Sequence, residues 1–136
     1  MKKYPHGFWE DGKNKYSVDE LFKLVKGREP KNISIRKIID KNKDLEIKEG
    51  NFLENLENPT TNFRKRVEKS NTSYPILLSE QGWIIDGSHR VAKLKWQGRR
   101  KILAHIISEE DLKNASLDIN ENLILKFELW KKIGMF

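Results

Sequence analysis

The order of apolar and polar positions divides the chain into short elements. Over 17–27, Leu21, Leu24 and Val25 recur at helical spacing, Ser17 and Glu20 stand in capping-box register, and Gly27 and then Pro30 stop the helix. The next run, NISIRKII, alternates Ile33 and Ile35 with Ser34 and Arg36 and then sets Ile38 beside Ile39, which predicts a strand with one wet face. The polar stretch after it predicts a loop with a short helix around Phe52, Leu53 and Leu56, ended by Asn58-Pro59. Thr60 or Thr61 then caps a helix that carries Phe63 and Val67 on one face and Arg64, Lys65, Arg66 and Lys69 on the other.

The segment SYPILLSEQGWIIDG predicts a hairpin: a strand over 76–78, a turn at Glu80-Gln81-Gly82, and a strand over 83–85. Pro75 suits the start of a strand, where a missing N–H is tolerated. Val91, Ala92, Leu94 and Lys95 predict a short helix ended by Gly98. RKILAHIIS is an apolar strand, with His105 among its apolar residues as a structural partner, and Ser108 with Asp111 caps a further helix. A last amphipathic helix carries Leu123, Phe127, Trp130 and Ile133. The succession predicts an α+β fold, a small mixed sheet with surrounding helices. Without repeats or low-complexity linkers, a single domain is expected over 1–136, with a core at about 33–107, an N-terminal helix at 17–27 and a helical extension at 108–136.

Composition narrows the setting. A chain of 136 residues holds one ordinary core, and its 10% of aromatic residues speaks against wholesale disorder. The absence of cysteine excludes disulfides and zinc–thiolate sites and fits a reducing compartment. The basic start has no apolar segment behind it, so it is not a signal peptide, and no run is long enough to cross a bilayer. A soluble cytoplasmic protein with no membrane partner is expected. The net charge of +7 fits polyanionic partners, and equally a well-solvated surface on a heavily charged chain. For nucleic acid the candidate contacts are Arg64, Lys65, Arg66, Arg99 and Arg100, although Arg99 and Arg100 belong at the far end of the helix that starts near residue 88.

The most informative stretch is Asp86-Gly87-Ser88-His89-Arg90, where an apolar strand turns into a helix. A helix start exposes unpaired N–H groups and the positive end of the dipole, and anions bind there. Gly87 lets a phosphate approach the backbone, Ser88 adds a hydroxyl, Arg90 adds a two-pronged guanidinium, and His89 donates a hydrogen bond or moves a proton near neutral pH. Asp86 would repel phosphate. It makes sense as a helix cap, as a grip on Arg90, as a carboxylate for magnesium, or as a base. Each residue also has a plainer use: a turn glycine, a first-turn serine, a surface imidazole, a local ion pair.

The segment YPILLSEQGWIIDGSHRVAKLKWQGRRKILAHII resembles the ParB/sulfiredoxin superfamily, whose pattern is a PI strand, a hairpin, an Asp-Gly-x-His-Arg box, a helix ending in Gly and a closing apolar strand. NISIRKI is similar to that family's first strand, and the likeness runs from about Ile33 to Ile107. The family includes a nucleotide-binding chromosome-partition protein, sulfiredoxins, an ADP-dependent serine kinase and nucleases. The resemblance implies a ParB/sulfiredoxin-like fold with nucleotide phosphates seated on Gly87, Ser88, His89 and Arg90. Ser88 stands where sulfiredoxins carry their reactive cysteine, which excludes sulfinic-acid repair. The residues after Ile107 are too few for a ParB-type DNA module. The box is nearest to the kinase-like members, which implies ATP or ADP with magnesium, and phosphoryl transfer or hydrolysis. In that case Asp86, His89 and Arg90 are the catalytic candidates and Asp86 the metal contact, and a further acid is sought among Asp40, Asp44, Glu54 and Glu57. The alternative is a DNA-binding module or nuclease of the same class.

Overall fold

The computed structural model describes residues 8–11 and 14–116. In chain order its elements are β1 (Phe8–Glu10), β2 (Lys15–Ser17), α1 (Val18–Val25), β3 (Lys31–Ser34), α2 (Ile35–Asn42), β4 (Glu46–Ile47), β5 (Gly50–Asn51), α3 (Phe52–Glu57), α4 (Thr61–Lys69), β6 (Ile76–Ser79), β7 (Ile84–Asp86), α5 (Ser88–Trp96), β8 (Lys101–Ile107) and α6 (Glu109–Asn114). The class is α+β, as expected. Two compact units are present, one over residues 27–107 and one built from the flanking segments. Leu123, Phe127, Trp130 and Ile133 lie outside the described residues. No described helix is long and apolar enough to cross a membrane.

The 27–107 unit is built on a four-stranded mixed sheet in the order β3-β8-β6-β7. β3 and β8 are antiparallel, β6 and β7 form an antiparallel hairpin with a register shift at Leu77/Leu78, and β6 runs parallel to β8. That parallel pair needs the chain to return between its strands, and β7 with α5 makes the connection. One face of the sheet presents Ile76, Leu78, Ile84, Ile102 and Ala104 to Ile35, Ile38 and Ile39 of α2, Phe52 and Leu56 of α3, Phe63 and Val67 of α4, and Val91 and Ala92 of α5. Burial at this density, about 1.5–3 kcal/mol for each large apolar side chain, drives the fold of the unit.

One expectation is corrected here. NISIRKII is not a single strand: β3 ends at Ser34 and α2 begins at Ile35. Ser34 Oγ accepts a hydrogen bond from Lys37 N at 3.3 Å and so starts the helix. Ile35, Ile38, Ile39 and Asn42 then fall on one buried face at spacings of three and four. The alternation that suggested a strand spanned only the four residues around that switch. The loop expected after it also holds a small hairpin, β4 with β5. The other elements of the unit stand close to their expected places, with Thr60 as the cap of α4 and Gly82 in the β6–β7 turn.

Asn42 fastens that turn. Its amide is fully buried; Nδ2 donates to Ile38 O at 2.7 Å and Gly82 O at 3.0 Å, and Oδ1 accepts from Ile84 N at 2.9 Å. The side chain thus satisfies backbone groups of α2 and the hairpin at once and fixes where β7 starts, two residues before the box.

In the second unit, β1 pairs antiparallel with β2, and Ser17 Oγ accepts from Glu20 N at 3.2 Å to start α1. The return half of the expected capping box is absent, since Glu20 pairs with Lys23 at 3.2 Å. Ser17 N donates to Ala115 O at 3.0 Å, and Val18, Leu21, Val25, Leu112 and Ala115 are buried. Ser108 and Asp111 form the full reciprocal capping box of α6, as expected.

Candidate functional site

β7 ends at Asp86, and the chain turns into α5 through Gly87 at φ +116°. An L side chain is strained there. A Cβ would also stand 2.7 Å from Ile76 Cβ on the neighbouring strand and 3.0 Å from Arg90 Nη2. Glycine is therefore required both by conformation and by the closeness of β6. The junction has no side-chain cap. α1, α2, α3, α4 and α6 each start with a Ser, Thr or Asn oxygen accepting a backbone N–H, whereas α5 starts with its first amides open. The role of cap suggested for Asp86 is thus corrected.

Asp86 grips Arg90 instead. Arg90 Nη2 donates to Asp86 Oδ2 at 2.7 Å, with side-chain exposures of 15% and 25% for Arg90 and Asp86. The pair bridges the end of β7 and the first turn of α5 and holds the guanidinium at the helix start. Half of the fork is spent on this contact, and Arg90 Nε is buried with no partner.

His89 faces another carboxylate, one that sequence reasoning did not single out. Glu49 lies in the turn between β4 and β5, and its side chain is 7% exposed. Arg66 Nη1 of α4 forms an ion pair with Glu49 Oε1 at 2.9 Å and His89 Nε2 comes within 3.7 Å of it, but neither contact has hydrogen-bond geometry, so Oε1 and Nε2 both remain without a hydrogen-bond partner. The His89 ring packs on Phe63 at 5.3 Å between centroids, and Phe63 meets Trp96 edge-on at 6.2 Å. Burial lowers the imidazole pKa below its ordinary value. Arg66 acts in the same direction, while Glu49 and Asp86 oppose it. The neutral imidazole is favoured near neutral pH.

Asn55 of α3 is 3% exposed, and its Nδ2 has no partner. It lies beside Gly50, whose missing Cβ would be 3.6 Å from that nitrogen, next in sequence to Glu49. The buried side-chain polar atoms without a hydrogen-bond partner among the described residues are therefore Glu49 Oε1, Asn55 Nδ2, His89 Nε2 and Arg90 Nε. Each such group is costly unless something satisfies it. Lys93 braces the helix that carries two of them: its Nζ donates to Glu68 O at 2.7 Å and Ser70 O at 2.9 Å, closing the C-terminus of α4.

The structure thus brings Asp86, Gly87, Ser88, His89 and Arg90 to one helix start and sets Glu49 and Arg66 beside His89. Asp40, Asp44, Glu54 and Glu57 are all exposed. The cue for Glu49 was faint: a Gly directly after it, in a polar stretch without strand periodicity. At Asp86 the carboxylate is engaged by Arg90, and the described residues contain no group of three or more His, Asp or Glu side chains placed to hold a metal ion. Asp86 fits no more than a single carboxylate contact to a magnesium ion arriving on a nucleotide. No protein-family model, curated protein or solved structure matches the chain.

Proposed function

We propose that the start of α5 seats the phosphates of a nucleotide, ATP or ADP, and that the protein transfers or hydrolyses a phosphoryl group there. One observation carries this reading: Glu49 Oε1, His89 Nε2 and Arg90 Nε, buried and without hydrogen-bond partners, lie at or beside an uncapped helix start. The amides of Ser88 and His89 offer donors to phosphate oxygens, with the positive end of the helix dipole behind them. The Ser88 hydroxyl adds a third donor. Arg90, held by Asp86, turns its free Nε toward charge that develops during transfer. Asp86 in this scheme orients the guanidinium.

Glu49 is the fitting group to take a proton from the attacking hydroxyl or water, and His89 orients it or relays the proton. Arg66 keeps the carboxylate in place from the other side. Phosphoryl transfer asks chiefly for positioning and charge stabilisation, so a short set of residues is sufficient. The resemblance of the Asp86–Arg90 box to nucleotide-binding members of the ParB/sulfiredoxin superfamily supports the same reading.

Calorimetry against ATP, ADP and CTP, with and without magnesium, tests the seat. Arg90→Ala and Ser88→Ala are expected to weaken binding by about tenfold or more, the loss of a hydrogen bond to a charged group. Glu49→Gln is expected to bind nucleotide within a few fold of the parent and to lose about 100-fold or more in phosphate transfer or release. A folded parent protein that binds none of the three nucleotides overturns the proposal.

A further inference from the structure

The far end of α5 carries a different feature. A helix of nine residues is about 13 Å long, so its C-terminal end is well separated from the box. An open cleft of about 740 Å³ lies there, lined by Ser34, Arg36 and Asp40 of the β3–α2 region and by Lys95, Arg99 and Arg100 of the α5–β8 region. Four of these side chains are cations and one is an acid.

The pairing of the arginines separates this cleft from the rest of the surface. Arg64 pairs with Glu68 at 3.3 Å, Arg66 with Glu49 at 2.9 Å and Arg90 with Asp86 at 2.7 Å. Arg36, Arg99 and Arg100 pair with no carboxylate among the described residues, and all three line this one cleft. Lys95 is likewise unpaired, and even Asp40, within the same cleft, takes none of them. Lys95 and the residues just after α5 sit where a helix C-terminus favours cations, which accounts for part of the cluster. Arg36 has no such excuse. It stands in the first turn of α2, at the positive end of that dipole, and the turn contains no acidic residue to offset it. The sequence places a cation where its own helix repels it, facing three more.

We infer that this cleft binds the phosphodiester backbone of a nucleic acid. The four cations are all exposed, and none is fixed by a buried neighbour. Such a set makes a poor pocket for one small anion, which needs enclosure and oriented donors. It suits a repeating polyanion, whose affinity comes from releasing counterions over several phosphates. The contacts available are to phosphate, so binding carries no base preference. The net charge of +7 acts in the same direction at longer range.

Fluorescence anisotropy with a labelled 20-nucleotide single strand and the matching duplex, titrated at several salt concentrations, tests the inference on the full chain. With four phosphates neutralised, the slope of log K against log salt is expected to be about −3.6 for duplex and about −2.8 for single strand. Arg36→Ala/Arg99→Ala/Arg100→Ala is expected to flatten the slope by about 2 to 3 and to weaken binding at least tenfold at low salt. Arg64→Ala/Lys65→Ala, on α4, is expected to leave the slope within one unit of the parent. Arg90→Ala leaves it unchanged as well, so failure of the nucleotide seat and failure of this cleft are told apart. The inference is overturned by the absence of binding at low salt, by equal losses in the α4 variant and the cleft variant, or by polyglutamate competing as well as DNA of equal charge.

Discussion

The two ends of α5 are built on opposite principles. At its start the cation Arg90 is paired, the side chains are half-buried, and Arg90 Nε and His89 Nε2 have no hydrogen-bond partner. At its end Arg99 and Arg100, with Arg36 across the cleft, are exposed, unpaired and surrounded by water. The first arrangement is ordered in advance by packing; the second is assembled from exposed charge. The two arrangements differ because the termini of one helix carry opposite partial charges and meet different neighbours.

The sharpest way to break this contrast is to place a methyl group at each end. Gly87 and Gly98 both have positive φ, +116° and +77°. A Cβ at Gly87 would run into Ile76, whereas one at Gly98 meets nothing within 4 Å. Gly98→Ala is expected to cost about 1–2 kcal/mol, the backbone strain alone. Gly87→Ala adds the clash and is expected to cost about 2–5 kcal/mol in urea unfolding. Equal costs would mean that the β7–α5 junction is not packed against β6, and the seat at the helix start would lose its geometric basis.

Much of this was legible in the residues. Gly87 and Gly98 bracket α5, Thr60 caps α4, Ser108 with Asp111 caps α6, and the 76–86 hairpin stands close to where its apolar runs place it. These are local rules, in which a cap or turn residue satisfies backbone groups within four positions. What escaped was set by contacts between distant segments. Ile35 looked like a strand residue because alternation and helical spacing coincide over four positions, and only burial of Ile38, Ile39 and Asn42 against the sheet separates the two. Glu49 looked like one more surface acid. Its burial depends on α4 and α5 bringing Arg66 and His89 to it, and no spacing within the chain announces that. The box residues were found; the carboxylate opposite them was not.

Acidification affects the two ends unequally. His89 faces Glu49 from the β4–β5 turn, Arg66 and Phe63 from α4, and Asp86 from β7. Burial holds its pKa below the ordinary value of about 6.5, so the unfolded chain takes up a proton before the folded one does. Stability is therefore fully present above about pH 6.5 and is lost as the pH falls from there toward the depressed folded value. His105 is shifted in the same direction by burial and by Arg28. Urea midpoints at pH 7.5, 6.5 and 5.5 are expected to fall for the parent protein, to fall less for His89→Gln, and to fall as in the parent for Arg99→Ala. A pH dependence unchanged in His89→Gln would place the buried titration elsewhere.

The smallest effect is the most pointed, because its sign differs from what loss of a structural residue gives. Arg36 occupies the first turn of α2, where the helix dipole disfavours a cation, and no carboxylate among the described residues compensates it. Arg36→Ala removes that repulsion and puts a better helix former in place, so it is expected to raise stability by up to about 0.5–1 kcal/mol at low ionic strength. The dipole share of the gain is expected to shrink by 0.5 M salt, where exposed charges are screened within a few ångströms. The same substitution is expected to lower affinity for nucleic acid. A gain for the fold together with a loss for binding is what a ligand contact gives and a structural residue does not. Should Arg36→Ala instead destabilise the protein by more than about 1 kcal/mol, the guanidinium would be a working part of the fold, and the cleft would contain one fewer free cation than the inference requires.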